Sequence, residues 1–308
     1  MRNHIAGVVG TPLFAIAATV VVCIGVPALQ VALMLGTTMS SVSSDLHYQC
    51  DSLVGPDPSD ASASTVLPDP NPDKGSSWES QVPTLNPYAE VVGSADDAGL
   101  SDWQRGCMSA LESAPYQLPP LQSVNAGYAV DCARSLALGQ VNQSTAEGSG
   151  GAPDSNAAAD NVEEIAELQR YVSYHASLAS DTGQRGVPDS VCTDSLRGGR
   201  PPIQDPMPSD PGTCSRSSGG AIGTGSAVTV LPKSRAGQAL CGQRVDIHAA
   251  SPGDLVFWGY TEPAPTKSGI VVGPSQIVTT DPASGQFIVA PMPTGRDVRV
   301  KRVLSGGS

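Results

Sequence analysis

The sequence predicts an α+β protein: an apolar N-terminal helix, then helical and linker segments, then a small antiparallel sheet. Three observations carry this. Between His4 and Asp45 there is no charged residue. Within Asn161–Ser180, Ile165, Leu168, Tyr171, Val172 and His175 fall at three- and four-residue spacing, the period of one helix face. From Ala227 the texture changes to short β-prone runs separated by Gly, Pro, Asp and Ser turn signals.

The first element is Ile5 to Gly36, mostly Ala, Val, Ile, Leu and Gly. A membrane-spanning helix needs about 20 apolar residues, and this run exceeds that, as it exceeds the core of a signal peptide. It is expected to be a signal anchor; the alternative is a signal peptide cleaved near Ser40–Ser44. Arg2 and the α-amino group are the positive charges beside it, so the short N-terminus stays cytoplasmic and the rest is extracytoplasmic. The expected location is the cell membrane, in a single pass.

The remaining elements follow in order. Asp51–Pro87 contains Pro56, Pro58, Pro68, Pro70 and Pro72 and reads as an extended spacer. Asp97–Glu112 and Gly127–Gln143 are short helix candidates. Gln143–Asp160 is rich in Gly, Ser, Ala and Asn and reads as a linker or long loop. In Asn161–Ser180 the early Glu163, Glu164 and Glu167 suit a helix N-terminus. Thr182–Gly220 is loop-like. Six β-runs come next: Ala227–Val230, Asp254–Trp258, Ile270–Val272, Gln276–Thr279, Phe287–Ala290 and Val298–Val303. The expected organisation is an anchor (1–40), a spacer (41–90), a helical segment (91–142), a linker (143–160) and the main domain (161–308).

Composition narrows the function. The chain has 308 residues, a net charge of −12 and 4% aromatic residues. Nucleic-acid binding needs a basic face, so this balance argues against it. Arg296, Arg299, Lys301 and Arg302 form a basic end, expected to be a solvated strand face. Cys23 lies in the apolar run; Cys50, Cys107, Cys132, Cys192, Cys214 and Cys241 lie beyond it. An even number in an oxidising compartment predicts up to three disulfides, of unspecified connectivity. No spacing suggests a metal site, and no cofactor motif is present.

Three short motifs occur in order: Leu231-Pro232-Lys233-Ser234-Arg235-Ala236-Gly237-Gln238, Ser251-Pro252-Gly253-Asp254-Leu255-Val256-Phe257-Trp258-Gly259, and Phe287-Ile288-Val289-Ala290-Pro291. Together they resemble the strand half of the NlpC/P60 cell-wall peptidases, over about Val230–Leu304. The resemblance implies a papain-like α+β domain. In it a Cys at a helix N-terminus attacks a stem-peptide bond, a His acts as base and a third polar residue orients that His.

The machinery expected from the resemblance is degenerate. The base position, ahead of Gly269-Ile270, is Lys267, which is ordinarily protonated and accepts no proton. The third position is Val289, or Thr279 in another register. The nucleophile position is Ser217, in Arg216-Ser217-Ser218-Gly219, or Cys132, in Val130-Asp131-Cys132-Ala133, or neither. His175 and His248 are candidates for a displaced base, although a helix-face and a loop residue are the simpler readings.

The expectation is therefore a non-catalytic envelope protein of a cell-walled, high-GC bacterium. It would bind peptidoglycan, with Lys267 drawing a carboxylate, or position an envelope partner. Two alternatives are an active cysteine endopeptidase using Cys132, and a structural subunit of an envelope-spanning secretion or conjugation assembly.

Overall fold

The computed structural model describes residues 43–59, 86–89, 99–147, 157–184, 190–196, 207–218 and 227–304. The chain divides into two units, Met1–His47 and Tyr48–Ser308. Of the first, the described residues are 43–47, the opening turn of helix α1 (43–54). The expected anchor lies outside the described residues. Among those described, no helix is long and apolar enough to cross a membrane.

The second unit is a mixed α+β domain with a six-stranded antiparallel sheet. Its strands are β3 (Gln243–Val245), β4 (Leu255–Glu262), β5 (Ala264–Gly273), β6 (Gln276–Thr280), β7 (Phe287–Pro291) and β8 (Arg299–Arg302). Their spatial order is β3-β8-β4-β5-β6-β7. The β4–β5 hairpin sets Leu255 opposite Ile270 and Trp258 opposite Lys267. A separate hairpin joins β1 (Ser215–Ser218) to β2 (Ala227–Val230). The run expected at Ala227–Val230 therefore belongs to this small ribbon, outside the main sheet.

Strand alternation sorts the core into two layers. Leu255, Phe257, Ile270, Val272 and Val278 face a cluster shared with helices α3 (Tyr128–Glu147) and α4 (Ala157–Gln184). Val256, Val271, Ile277 and Val300 face a smaller cluster with Val245, Ala249 and the partly buried Leu121 and Trp258. Helix α4 contains the expected 161–180 helix and buries Ile165, Leu168, Tyr171, Val172 and Ala176. Helix α3 buries Cys132, Ala133, Leu136 and Ala137 in the same cluster. The residues expected as a separate 91–142 helical segment thus pack in one unit with the main domain: the apolar face of α3 is covered by α4, by residues 190–196 and by the sheet.

Helix α2 (Asp102–Ser113) starts at Ser101, whose side chain accepts from the Gln104 N–H while Gln104 reaches back to the Ser101 N–H. This reciprocal capping satisfies two otherwise unpaired donors. The spacer expected over 41–90 also needs correction at its start. Tyr48, Gln49, Asp51, Ser52, Leu53 and Val54 of α1 are buried in the domain, and residues 60–85 lie outside the described residues.

The physical reason is a buried charge cluster. The Asp51 carboxylate receives Arg244 Nη1 at 2.8 Å and also pairs with Arg299 Nη2. Arg299 Nε donates to the Asp51 carbonyl at 2.9 Å. Lys301 Nζ donates to Gln117 Oε1 at 2.8 Å. Arg302 grips Asp254 with Nε and Nη2, at 2.9 and 2.8 Å, and its Nη1 donates to the Ser123 carbonyl. Arg299, Lys301 and Arg302 are therefore no solvated face, since all four residues of β8 are buried, whereas Arg296 before the strand is exposed. A buried charge is tolerated when it is paired or hydrogen-bonded, and the partners come from residues as distant in sequence as Asp51.

All six cysteines of the described residues pair, as Cys50–Cys107, Cys132–Cys192 and Cys214–Cys241. These bonds tie α1 to α2, α3 to α5 (Ser190–Leu196), and the start of β1 to the end of α6 (Arg235–Ala239).

Candidate functional site

The motif Ser251–Gly259 builds the frame of the site. Ser251 N–H donates to Asp254 Oδ2 at 2.8 Å, closing a tight turn that delivers the chain into β4. Burial raises the Asp254 carboxyl pKa, opposed by the hydrogen bond and charge of Arg302. Asp254 is a structural anchor for β8, and its side chain is committed to that task. Gly253 has φ +88°, and a Cβ there would meet Leu304 and Ala133. The motif thus holds β4, β8 and α3 together at one point.

Along β4, β5, β6 and β7 this frame supports a groove of about 410 Å³. Trp258 and Lys267 are paired across β4 and β5, and Thr279 and Ile288 across β6 and β7; all four line the groove, with Ala290 beside them. Ile165 of α4 and Arg235 of α6 line it from the helical layer, and Thr266, Ser268, Thr280 and Pro282 complete it. Helix α4 is held there by Gln169, whose Nε2 donates to the Gly269 carbonyl at 3.0 Å. Gln238, from the first motif, donates to the Ala166 and Pro232 carbonyls, both at 2.8 Å. These two glutamines fix the helix against the strand that carries Lys267.

The groove contains one exposed lysine, Lys267. Arg235 is half-buried and donates to the Thr266 carbonyl; burial lowers its pKa. Thr279 Oγ1 donates to the Ser268 carbonyl at 2.9 Å. The Ser268 and Thr280 hydroxyl oxygens are buried without a hydrogen-bond partner. Among the described residues, no cysteine, histidine or carboxylate lines the groove.

The expected site residues separate. Lys267 and Thr279 meet in the groove. Val289 does not line it: its neighbours Ile288 and Ala290 do, and Val289 itself is exposed. Thr279, the other register, is the polar residue beside Lys267. Ser217 lies within β1, opposite Val228, and no helix begins there. Cys132 sits in the first turn of α3, fully buried and bonded to Cys192. Cys132 does not line the groove; the helical side chains found there are Ile165 and Arg235. His175 is buried in α4 with its ring against Tyr171 and Tyr174, and His248 lies in a single helical turn before β4. Neither lines the groove.

Ile165 was legible as a core-facing helical residue but not as a groove residue. Its spacing is the same as that of Leu168 and Val172, and only the contact of α4 with β5 distinguishes them. Among the described residues, no group of three or more His, Cys, Asp or Glu is placed to hold a metal ion. No family model, curated protein or solved structure matches the chain.

Proposed function

We propose that the domain is a non-catalytic relative of the NlpC/P60 peptidases, papain-like in architecture, that binds peptidoglycan stem peptides at the cell envelope. One observation carries the reading. The groove framed by the family-like motifs holds Lys267, at the position the resemblance gives to the base, together with Ile165 and Thr279, and among the described residues no cysteine or histidine lines it. An alkyl side chain cannot attack a carbonyl, and a protonated amine cannot serve as base. The cysteine nearest to a family-like context, Cys132, is held as a disulfide, and a disulfide sulfur is not the thiolate nucleophile.

The three disulfides support an oxidising compartment, which agrees with an extracytoplasmic domain behind an N-terminal anchor. Binding in such a groove needs shape, a few polar groups and apolar walls, all of which remain when catalysis is lost.

The test is retention on purified sacculi, combined with a hydrolysis assay on muropeptides. The expected result is retention without turnover. Turnover abolished by Cys132→Ala favours the peptidase alternative. Absence of retention, together with stoichiometric co-purification of envelope proteins from detergent extracts, favours a role as an assembly subunit.

A further inference from the structure

We infer that the groove recognises the free C-terminal carboxylate of a short peptide ending in a small apolar residue. The inference rests on the wall-binding reading and names the chemical group that the groove reads.

Lys267 is exposed, and among the described residues no ion pair or hydrogen bond engages its ammonium. Its stem runs past Gly259, where a Cβ would lie 3.8 Å from Lys267 Cγ. Gly259 itself has φ +71°, a conformation that L side chains rarely adopt. The close approach at Gly259 is to Thr266 Oγ1, 2.6 Å from where a Cβ would lie, and that hydroxyl donates to the Gly259 carbonyl at 2.7 Å, holding the strand of Lys267 against β4. An ammonium with its donors uncommitted matches a carboxylate by charge and by hydrogen bonding.

Two further groups point the same way. Ser268 is 1% exposed and Thr280 is half-buried, and the oxygens of both hydroxyls are buried without a partner in the chain. Leaving a buried hydroxyl unpaired costs free energy, which a ligand lining the same groove can recover. A hydroxyl can donate to a carboxylate oxygen or accept from a peptide N–H. The apolar walls, Trp258, Ile165 and Ile288, suit a small aliphatic side chain. The groove volume of about 410 Å³ lies in the range of small-ligand pockets, roughly 300–1,000 Å³, and so has room for a peptide end but not for a folded partner.

The terminal carboxylate is the group that a single neutral substitution in the ligand isolates. Its neutral counterpart, the C-terminal amide, keeps the shape and removes the charge.

The experiment titrates the full chain with N-acetyl-D-Ala-D-Ala and N-acetyl-L-Ala-L-Ala, each as the free acid and as the C-terminal amide. Sacculus retention is measured on the same preparations. The expected result is that at least one acid binds tenfold or more tighter than its amide, about 1.4 kcal/mol. Lys267→Met is expected to erase that preference, and Lys267→Arg to retain it. Lys267 is exposed, so both variants are expected to fold, and their melting curves check this. Equal binding of acid and amide overturns the inference, as does a preference that survives Lys267→Met. If no peptide binds at millimolar concentration while sacculi are retained, the inference falls and the wall-binding reading stands. Selective binding of the acid without sacculus retention leaves the inference standing and removes the wall as the ligand's source.

Discussion

Replacing the Cys132–Cys192 bond by Cys132→Ala and Cys192→Ala together tests the central premise, that this sulfur is structural. The two cysteines are 60 residues apart in sequence. Opening a loop of that size returns chain entropy to the unfolded state worth about 4 kcal/mol at 25 °C. Both sulfurs sit in the main core with no exposure, so the lost packing adds to this loss. What else holds α5 is modest: Tyr128 Oη lies 3.2 Å from Thr193 Oγ1, and Ser135 Oγ lies 2.9 Å from Ser195 Oγ. Urea unfolding followed by circular dichroism is the assay. With a slope of roughly 2–3 kcal/mol/M, the midpoint should fall by roughly 1.5–2 M. Peptide mapping after alkylation without reductant should find neither cysteine labelled. A midpoint shift under about 0.3 M, or alkylation of Cys132 in the native protein, refutes the structural assignment and reopens the peptidase reading.

Asp51→Ala leaves Arg244 and Arg299 buried without their shared carboxylate, and a loss of about 3–5 kcal/mol is expected in the same unfolding assay. Lys301→Met should change the pH dependence of stability. Burial first, then the Arg244 and Arg299 charges, lower the Lys301 pKa well below its ordinary 10.5. Between the lowered value and 10.5 the unfolded chain holds the extra proton, so this group's contribution is full above 10.5 and is lost as pH falls toward the folded value. The variant should flatten that slope, as measured by urea unfolding between pH 7 and about 10; an unchanged slope rejects the assignment. Gly253→Ala places a Cβ 2.8 Å from Leu304 Cδ1 and 2.9 Å from Ala133 Cβ at a positive φ. A loss of more than about 1 kcal/mol is expected, and a melting curve matching the parent's sinks the packing argument for this glycine.

Helix α4 and most strands were readable because each shows a local period. Ile165, Leu168 and Val172 repeat with the helix, and Val256, Phe257, Ile270 and Val271 divide between two sheet faces as strand alternation requires. The six cysteines beyond the apolar run were readable as disulfide partners from parity, but their connectivity was not, because pairing depends on which helices meet. Strand β3 was missed. It has three residues, and its pairing with Lys301 and Arg302 carries no local signal.

Charged residues show the limit most clearly. Arg299, Lys301 and Arg302 have the composition of a solvated strand, and sequence alone assigns them to water. Burial becomes tolerable only because Asp51, Gln117 and Asp254 arrive from elsewhere in the fold. The same dependence on distant partners moved residues 48–54 from spacer to core.

What the sequence by itself determined was the α+β class, the oxidised cysteines, the order of the three motifs and the lysine two residues before Gly269-Ile270. These depend on residue type and short-range spacing, which a single chain displays directly. Tertiary structure alone decided what shares the groove with Lys267. It admitted Thr279 and Ile165 and left out Val289 and Cys132. A groove is defined by which faces of a helix and four strands converge, and no local period encodes that convergence.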